Sequence, residues 1–142
     1  MTSSHDRIRA EEFRERLLAL VAPGGGHSLP RKSRDRHILF RAAVQSLGRA
    51  SYTESELNDA LASWLSLVDL DGRVDHASLR RYLVDAGYLQ RDAAGRAYLV
   101  CSAGRGEVLF DADVQEVDTV EVVQSAHLQA AERKRMWARP SA

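Results

Sequence analysis

No stretch of this sequence restricts the fold more than TESELNDALASWLSLV, residues 53–68. Thr53 and Glu56 stand at capping-box spacing. The threonine hydroxyl can accept from the Glu56 N–H while the glutamate reaches back to the Thr53 N–H, satisfying two donors that a helix start leaves open. Leu57, Ala60, Leu61, Trp64, Leu65 and Val68 then recur at helical spacing and form one apolar stripe. Such a helix must bury its stripe, so its neighbours have to supply a cover.

The preceding segment, LPRKSRDRHILFRAAVQSLG (29–48), supplies it. Ile38, Leu39, Phe40, Ala42, Ala43, Val44 and Leu47 leave almost no polar face in its second half. A helix over 34–47 that is apolar nearly all round belongs at the centre of a core. Further upstream, RIRAEEFRERLLALV aligns Ile8, Phe13, Leu17, Leu20 and Val21 on one stripe before proline and glycine in APGGGH break the helix. Residues 1–26 therefore read as an amphipathic helix and a Gly-rich hinge.

Downstream, DLDGRVDHASL (69–79) resembles a calcium loop at first sight. An EF-hand loop places oxygen ligands at positions 1, 3, 5 and 12 around a glycine at 6. With Gly72 at position 6, Asp69, Asp71 and Asp75 fall at 3, 5 and 9, but Leu67 and Ser78 occupy positions 1 and 12. The first ligand and the bidentate glutamate are both missing, so no metal site is expected, and zinc through Asp75 and His76 fares no better. The alternative accounts for every residue. DLDG is a turn, and Asp75 is the N-cap of a helix over 75–87 that stops at Gly87. Leu79, Tyr82, Leu83 and Ala86 share its inward face, with Ala77, Arg80, Arg81 and Val84 opposite.

YLQRDAAGRAYLVC then reads as a β-hairpin turning at Asp92–Gly95, with Tyr98 and Val100 on one face and Leu99 on the other. Helix, capped helix, turn, helix and hairpin follow in the order of a winged helix-turn-helix. The expected fold is mainly α with a small β-hairpin: a winged helix over 27–101, with helical extensions at both ends. The C-terminal extension, 102–142, carries Asp118 and Glu121 at capping spacing and the cluster Val120–Val123. Residues 113–139 read either as one helix or as a strand followed by a helix.

Composition narrows the function. Lysine plus arginine balance aspartate plus glutamate at 20 each, which argues against a strongly basic nucleic-acid binder. Positive charge is nevertheless concentrated in RKSRDRHILFR and ERKRMWAR, whereas EVLFDADVQEVDTVE holds six acids and no base. The lone Cys101 permits neither a disulfide framework nor a cysteine zinc site. There is no apolar run of membrane-spanning length and no signal-peptide pattern at the start, so a cytoplasmic protein is expected. His5, His27, His37, His76 and His127 are scattered, without Ser-His-Asp order, HExxH or a phosphate-binding glycine loop. No catalytic residue and no cofactor are expected.

Three stretches, LPRKSRDRHIL, YTESELNDAL and DHASLRRYLVDAGYLQRDAAGRAY, together resemble a bacterial family, domain of unknown function 2087. In that family a basic L/F-P-x-K-x-x-R helix start precedes Y-T-E-x-E-V-N. A D-H-x-x-L-R-R-x-L-V-D-x-G-L-L-x-R run and a G-x-x-Y hairpin then follow. The resemblance spans residues 29–98, with Leu57 in place of valine and Tyr88 in place of leucine. Its members stand alone or are fused to small helix-turn-helix regulators and are described as candidate transcription regulators. The resemblance implies a bacterial regulator and carries no established activity.

On this reading the helix 75–87 enters the major groove of double-stranded DNA, where His76, Ala77, Arg80 and Arg81 can approach base edges. Arg31, Lys32, Arg34 and Arg36, with Arg91 and Arg96 on the wing, are the candidate phosphate contacts. The alternative is a winged helix used as a protein-interaction or dimerisation module that does not read DNA. Val84 on the outward face, the neutral charge and the two extensions, each able to pack on a second subunit, favour it. The state of the Arg80–Arg81 face, open or covered, separates the two.

Overall fold

The computed structural model describes residues 7–22, 29–70 and 72–138. The Gly24–Gly26 hinge, Asp71, His5 and His27 lie outside the described residues. The capped helix is as its residues dictate: α3 spans Glu54–Leu67, and both legs of the Thr53–Glu56 capping box are made. Leu57, Leu61, Trp64 and Leu65 are buried along its inner side.

Helix α2, Ser33–Ser46, buries eight successive residues from His37 to Val44. It can do so because α3 and both chain extensions contact it, and Tyr82 of the helix after α3 stacks on Phe40. The N-terminal helix α1, Ala10–Leu20, buries Phe13 and Leu17 against α2 and the C-terminal helix, with Ile8 and Val21 completing the stripe and Leu20 half-buried. Ile8 is further stitched by backbone hydrogen bonds to Leu109 and Asp111.

Two residues, Ser51–Tyr52, form strand β1, which the sequence reading did not anticipate. Helix α4, His76–Asp85, begins at Asp75, whose carboxylate accepts from the Ser78 N–H at 2.7 Å. It ends at Gly87, with φ of 84°, where the Gly87 N–H bonds to Val84 O and the Tyr88 N–H to Leu83 O. That pair of bonds needs a left-handed residue. A Cβ at Gly87 would also sit 2.9 Å from the Arg105 backbone nitrogen, so glycine is required twice over.

Strands β2, Leu89–Arg91, and β3, Tyr98–Val100, pair antiparallel, with Arg91 opposite Tyr98. β1 adds to the free edge of β3, giving the order β1-β3-β2. The expected two-stranded hairpin is therefore part of a three-stranded sheet. The run α2-β1-α3-α4-β2-β3 and this strand order are consistent with a winged helix-turn-helix, with α1 and the C-terminal segment as helical extensions.

The C-terminal extension resolves into a 3-10 helix, Ala112–Glu116, and α5, Thr119–Ala138. The valine cluster is helical because Val122 and Val123 are fully buried once α5 lies along α1 and α2. Asp118 caps its start by accepting from the Glu121 N–H. Polar side chains of α2 hold the extension in place. Arg41, only 6% exposed, donates to Ser102 O and to Gln45 Oε1, while Gln45 donates to Val114 O and Val117 O. Thr119 Oγ1 donates to Ala42 O. Every one of these buried donors and acceptors is a constraint, because leaving one unmade costs about 1–3 kcal/mol. A second polar pair lies under α4: the Tyr88 hydroxyl meets His37 Nδ1 at 2.8 Å, and His37 Nε2 faces Glu107 at 3.3 Å. Burial raises the Tyr88 pKa, so the phenol keeps its proton.

Candidate nucleic-acid interface

Helix α4 packs its inner residues Leu79 and Leu83 against the core and lies on α3 and β2, while α1 and α5 lie against α2. Its outward side is consequently left open. Ala77 and Arg81 are exposed there, and His76 at the first turn is half-buried. Arg81 forms no hydrogen bond or ion pair with any described residue, so its guanidinium is free to turn outward.

Arg80 has a different setting. Its Nη1 donates to Asn58 Oδ1 at 2.5 Å and stands 3.3 Å from Glu54 Oε1, both on α3. The guanidinium carbon also lies 5.7 Å from the centre of the Tyr98 ring on β3. With 21% of the side chain exposed, Arg80 joins both helices of the helix-turn-helix to the wing. Its donors are thus engaged within the chain, whereas the other three candidates on this helix are more open, Ala77 and Arg81 exposed and His76 half-buried.

Val84 was expected to leave an apolar patch on this face. It is half-buried, packed in part against the core of its own chain, so less apolar surface is left there than expected. The N-terminal arm likewise spends its apolar stripe within the chain. It is fastened to α5 by the Arg14 guanidinium, which donates twice to Glu121 at 2.9 and 3.2 Å.

The basic residues of α2 divide in the same way. Arg31 and Lys32 are exposed just before its start. Arg34 is held by Glu12 of α1 in a bidentate pair at 2.8–3.1 Å, so its charge is largely spent on the arm. Arg36 is flanked by aromatic rings, 5.8 Å from the centre of Phe40 and 5.5 Å from that of Tyr82. There it lines a cleft of about 290 Å³ with Leu29, Arg73, Asp75, Ser78 and Tyr82, at the N-terminal end of α4. Two arginines thus meet beside a helix start whose dipole also favours negative charge. The Asp75 carboxylate offsets part of this, and the backbone bond from Ser78 keeps it ionised by lowering its pKa.

On the wing, Arg91 lies over Tyr98 at 5.9 Å, and Arg96 is exposed in a turn tied by Asp92, which accepts from the Arg96 N–H. Three residues of this site escaped the sequence reading. Arg73 is not among the sequence candidates, although a cation two residues before an N-cap is a usable signal. Asn58 and Tyr82, the supports of Arg80 and Arg36, carry no local mark. Among the described residues no cluster of three or more His, Cys, Asp or Glu is placed to hold a metal ion, and no helix is long and apolar enough to cross a membrane.

No curated protein and no solved structure is significantly similar to this chain. A family model described as an uncharacterized protein conserved in bacteria, domain of unknown function 2087, matches residues 27–100, just over half of the chain. That span starts shortly before α2 and ends with β3, so it takes in the α4 face, the cleft and the wing together, and on this match the chain belongs to the bacterial family of domain of unknown function 2087.

Proposed function

We propose that this chain binds double-stranded DNA through α4 and the wing and acts as a transcription regulator by binding, without catalysis. The observation that carries the reading is the open outward face of α4, with Ala77 and Arg81 exposed on it and Arg36 at its N-terminal end. A small residue lets the helix backbone approach the groove floor, and a free guanidinium can engage guanine at two points. Arg31, Lys32 and Arg96 are the exposed cations for phosphate contact, with Arg36 and Arg91 held on aromatic supports. Two arguments for a purely protein-binding winged helix, the outward Val84 and the unpaired arm, weaken once the arm is packed within the chain and Val84 partly so.

Neutral net charge limits the affinity for arbitrary duplex, so binding should be detectable at low salt and fall steeply as salt rises. Fluorescence anisotropy of a labelled random duplex at low ionic strength tests this directly, followed by sequence selection on the bound fraction. Salt-dependent binding that Arg81→Ala weakens while the fold stays intact supports the proposal. No binding at low salt, or binding indifferent to Arg81, Arg31 and Lys32, overturns it in favour of the protein-interaction module.

A further inference from the structure

Helix α5 outruns the body it packs on. Thr119, Val122, Val123 and Ala126 are buried, but every residue from Ala131 to Ala138 is exposed. His127 marks where the helix leaves the body. Its Nε2 stands 3.6 Å from Asp69 Oδ2, in the turn that joins α3 to α4. The exposed end therefore starts beside the turn that leads into α4.

The charge of this end is one-sided. Arg133, Lys134 and Arg135 stand against a single acid, Glu132, and none of the three cations makes an ion pair or hydrogen bond with a described residue. They complement the helix dipole, but that amounts to only about half a charge, so a positive excess remains. Helical phase sorts the four. Trp137 follows Arg133 by four residues and Lys134 by three, so these three share one face. Glu132 lies on the other side, three residues before Arg135, and can offset it. Lys134 also follows Val120 and His127 at intervals of seven, which keeps it on the side of α5 that meets α3 and the turn after it.

The large apolar residues share no face. Leu128, Met136 and Trp137, all exposed, are separated by at least about 80° around the helix axis. Without an apolar stripe this end offers little to a partner helix or a lipid surface. Free cations beside an exposed ring suit a polyanionic backbone instead. We propose that the end of α5 is a second DNA contact, in which Arg133 and Lys134 hold phosphates flanking the groove site of α4 and Trp137 lies against the same backbone. The proposal rests on α4 being the groove helix and extends its footprint. Lys134 stands about 10 Å beyond His127 along the axis and Trp137 about 15 Å, a reach of about three to four base pairs.

Anisotropy of a labelled duplex over a salt series, with the full chain, tests the contact. Arg133→Ala/Lys134→Ala should flatten the slope of log K against log salt by about 2 and weaken low-salt binding at least about tenfold. Arg135→Ala, on the Glu132 side, should leave the slope nearly unchanged. The circular dichroism of both variants should match the parent, since all three positions are exposed. The preference for a selected site should persist, because phosphate contacts do not read bases. In the Trp64→Phe protein, duplex should shield Trp137 from acrylamide. An unchanged slope in the double variant, with binding that Arg81→Ala still weakens, overturns the α5 contact and leaves the α4 site standing. A parent that binds no duplex at low salt overturns both. Shielding of Trp137 by phosphatidylserine vesicles and not by duplex would mean a membrane contact and overturns the proposal as well.

Discussion

Arg80 of α4 reaches across 22 residues of sequence to donate to the Asn58 side-chain carbonyl on α3, at 2.5 Å. Its neighbour Arg81, one position on, is exposed. The two arginines should therefore separate experimentally. Arg80→Ala removes one side-chain hydrogen bond, a partly exposed ion pair and a ring contact, and should cost about 1–2 kcal/mol of stability. Arg81→Ala should change stability by less than about 0.5 kcal/mol. Its effect should appear in specific DNA binding as a loss of about 1–3 kcal/mol confined to one base position. Urea denaturation beside anisotropy on a selected site checks both. Equal stability losses from the two substitutions would contradict the engagement of the Arg80 donors within the chain.

Acid should weaken the fold over a definable range. The Thr53 backbone N–H, followed by the Arg49 guanidinium, holds the Glu56 carboxyl at about 2 against an ordinary value of 4.5. Because the folded form binds the proton less readily, this contribution is complete above about pH 4.5 and is lost as the pH falls towards 2. Asp75, lowered by the Ser78 N–H, and Glu121, lowered by Arg14, act in the same direction. Glu56→Gln retains an acceptor for the Thr53 N–H but does not titrate. Its stability should fall less steeply than that of the parent over this range, as followed by denaturant midpoints at successive pH values.

The two tryptophans stand at opposite extremes of burial. Trp64 is 5% exposed and Trp137 is 89% exposed. Trp64→Ala should destabilise by about 3–5 kcal/mol, whereas Trp137→Ala should leave the monomer's stability nearly unchanged. Acrylamide should quench the Trp64→Phe protein, which retains Trp137, far more strongly than Trp137→Phe when both are dilute. Equal quenching would contradict the packing of α3.

Arg41 should behave as the fastener of the C-terminal extension. Its guanidinium is buried, which lowers its pKa, and it spends its donors on Ser102 O and Gln45. Arg41→Leu should cost about 1.5–3 kcal/mol, the range for hydrogen bonds made by a charged donor. Limited proteolysis should then cut first within residues 102–118. A variant that resists protease as well as the parent would show that Val122 and Val123 hold α5 without this network.

Features encoded within a few neighbouring residues were legible in advance. Thr53 with Glu56, Asp75 with Ser78, the helical stripes and the stop at Gly87 each depend on contacts three or four positions apart, so the local sequence carries the whole interaction. The β2–β3 hairpin was legible through its turn, where the Gly95 N–H bonds to Asp92 O three positions back. The two-residue strand β1 was not, because it is too short for an alternating pattern and exists through its pairing with β3. The valine cluster satisfied either a helix or a strand by composition, and burial of Val122 and Val123 against α1 and α2 decided for the helix. At the candidate interface the residue types at the α4 surface were readable, but their availability was not. Arg34 is bound by Glu12, Arg80 by Asn58 and Glu54, and Arg36 is flanked by Tyr82, which stands 46 residues away in sequence. Whether an arginine is spent or free depends on which distant side chain the packed fold brings beside it, and no local pattern records that.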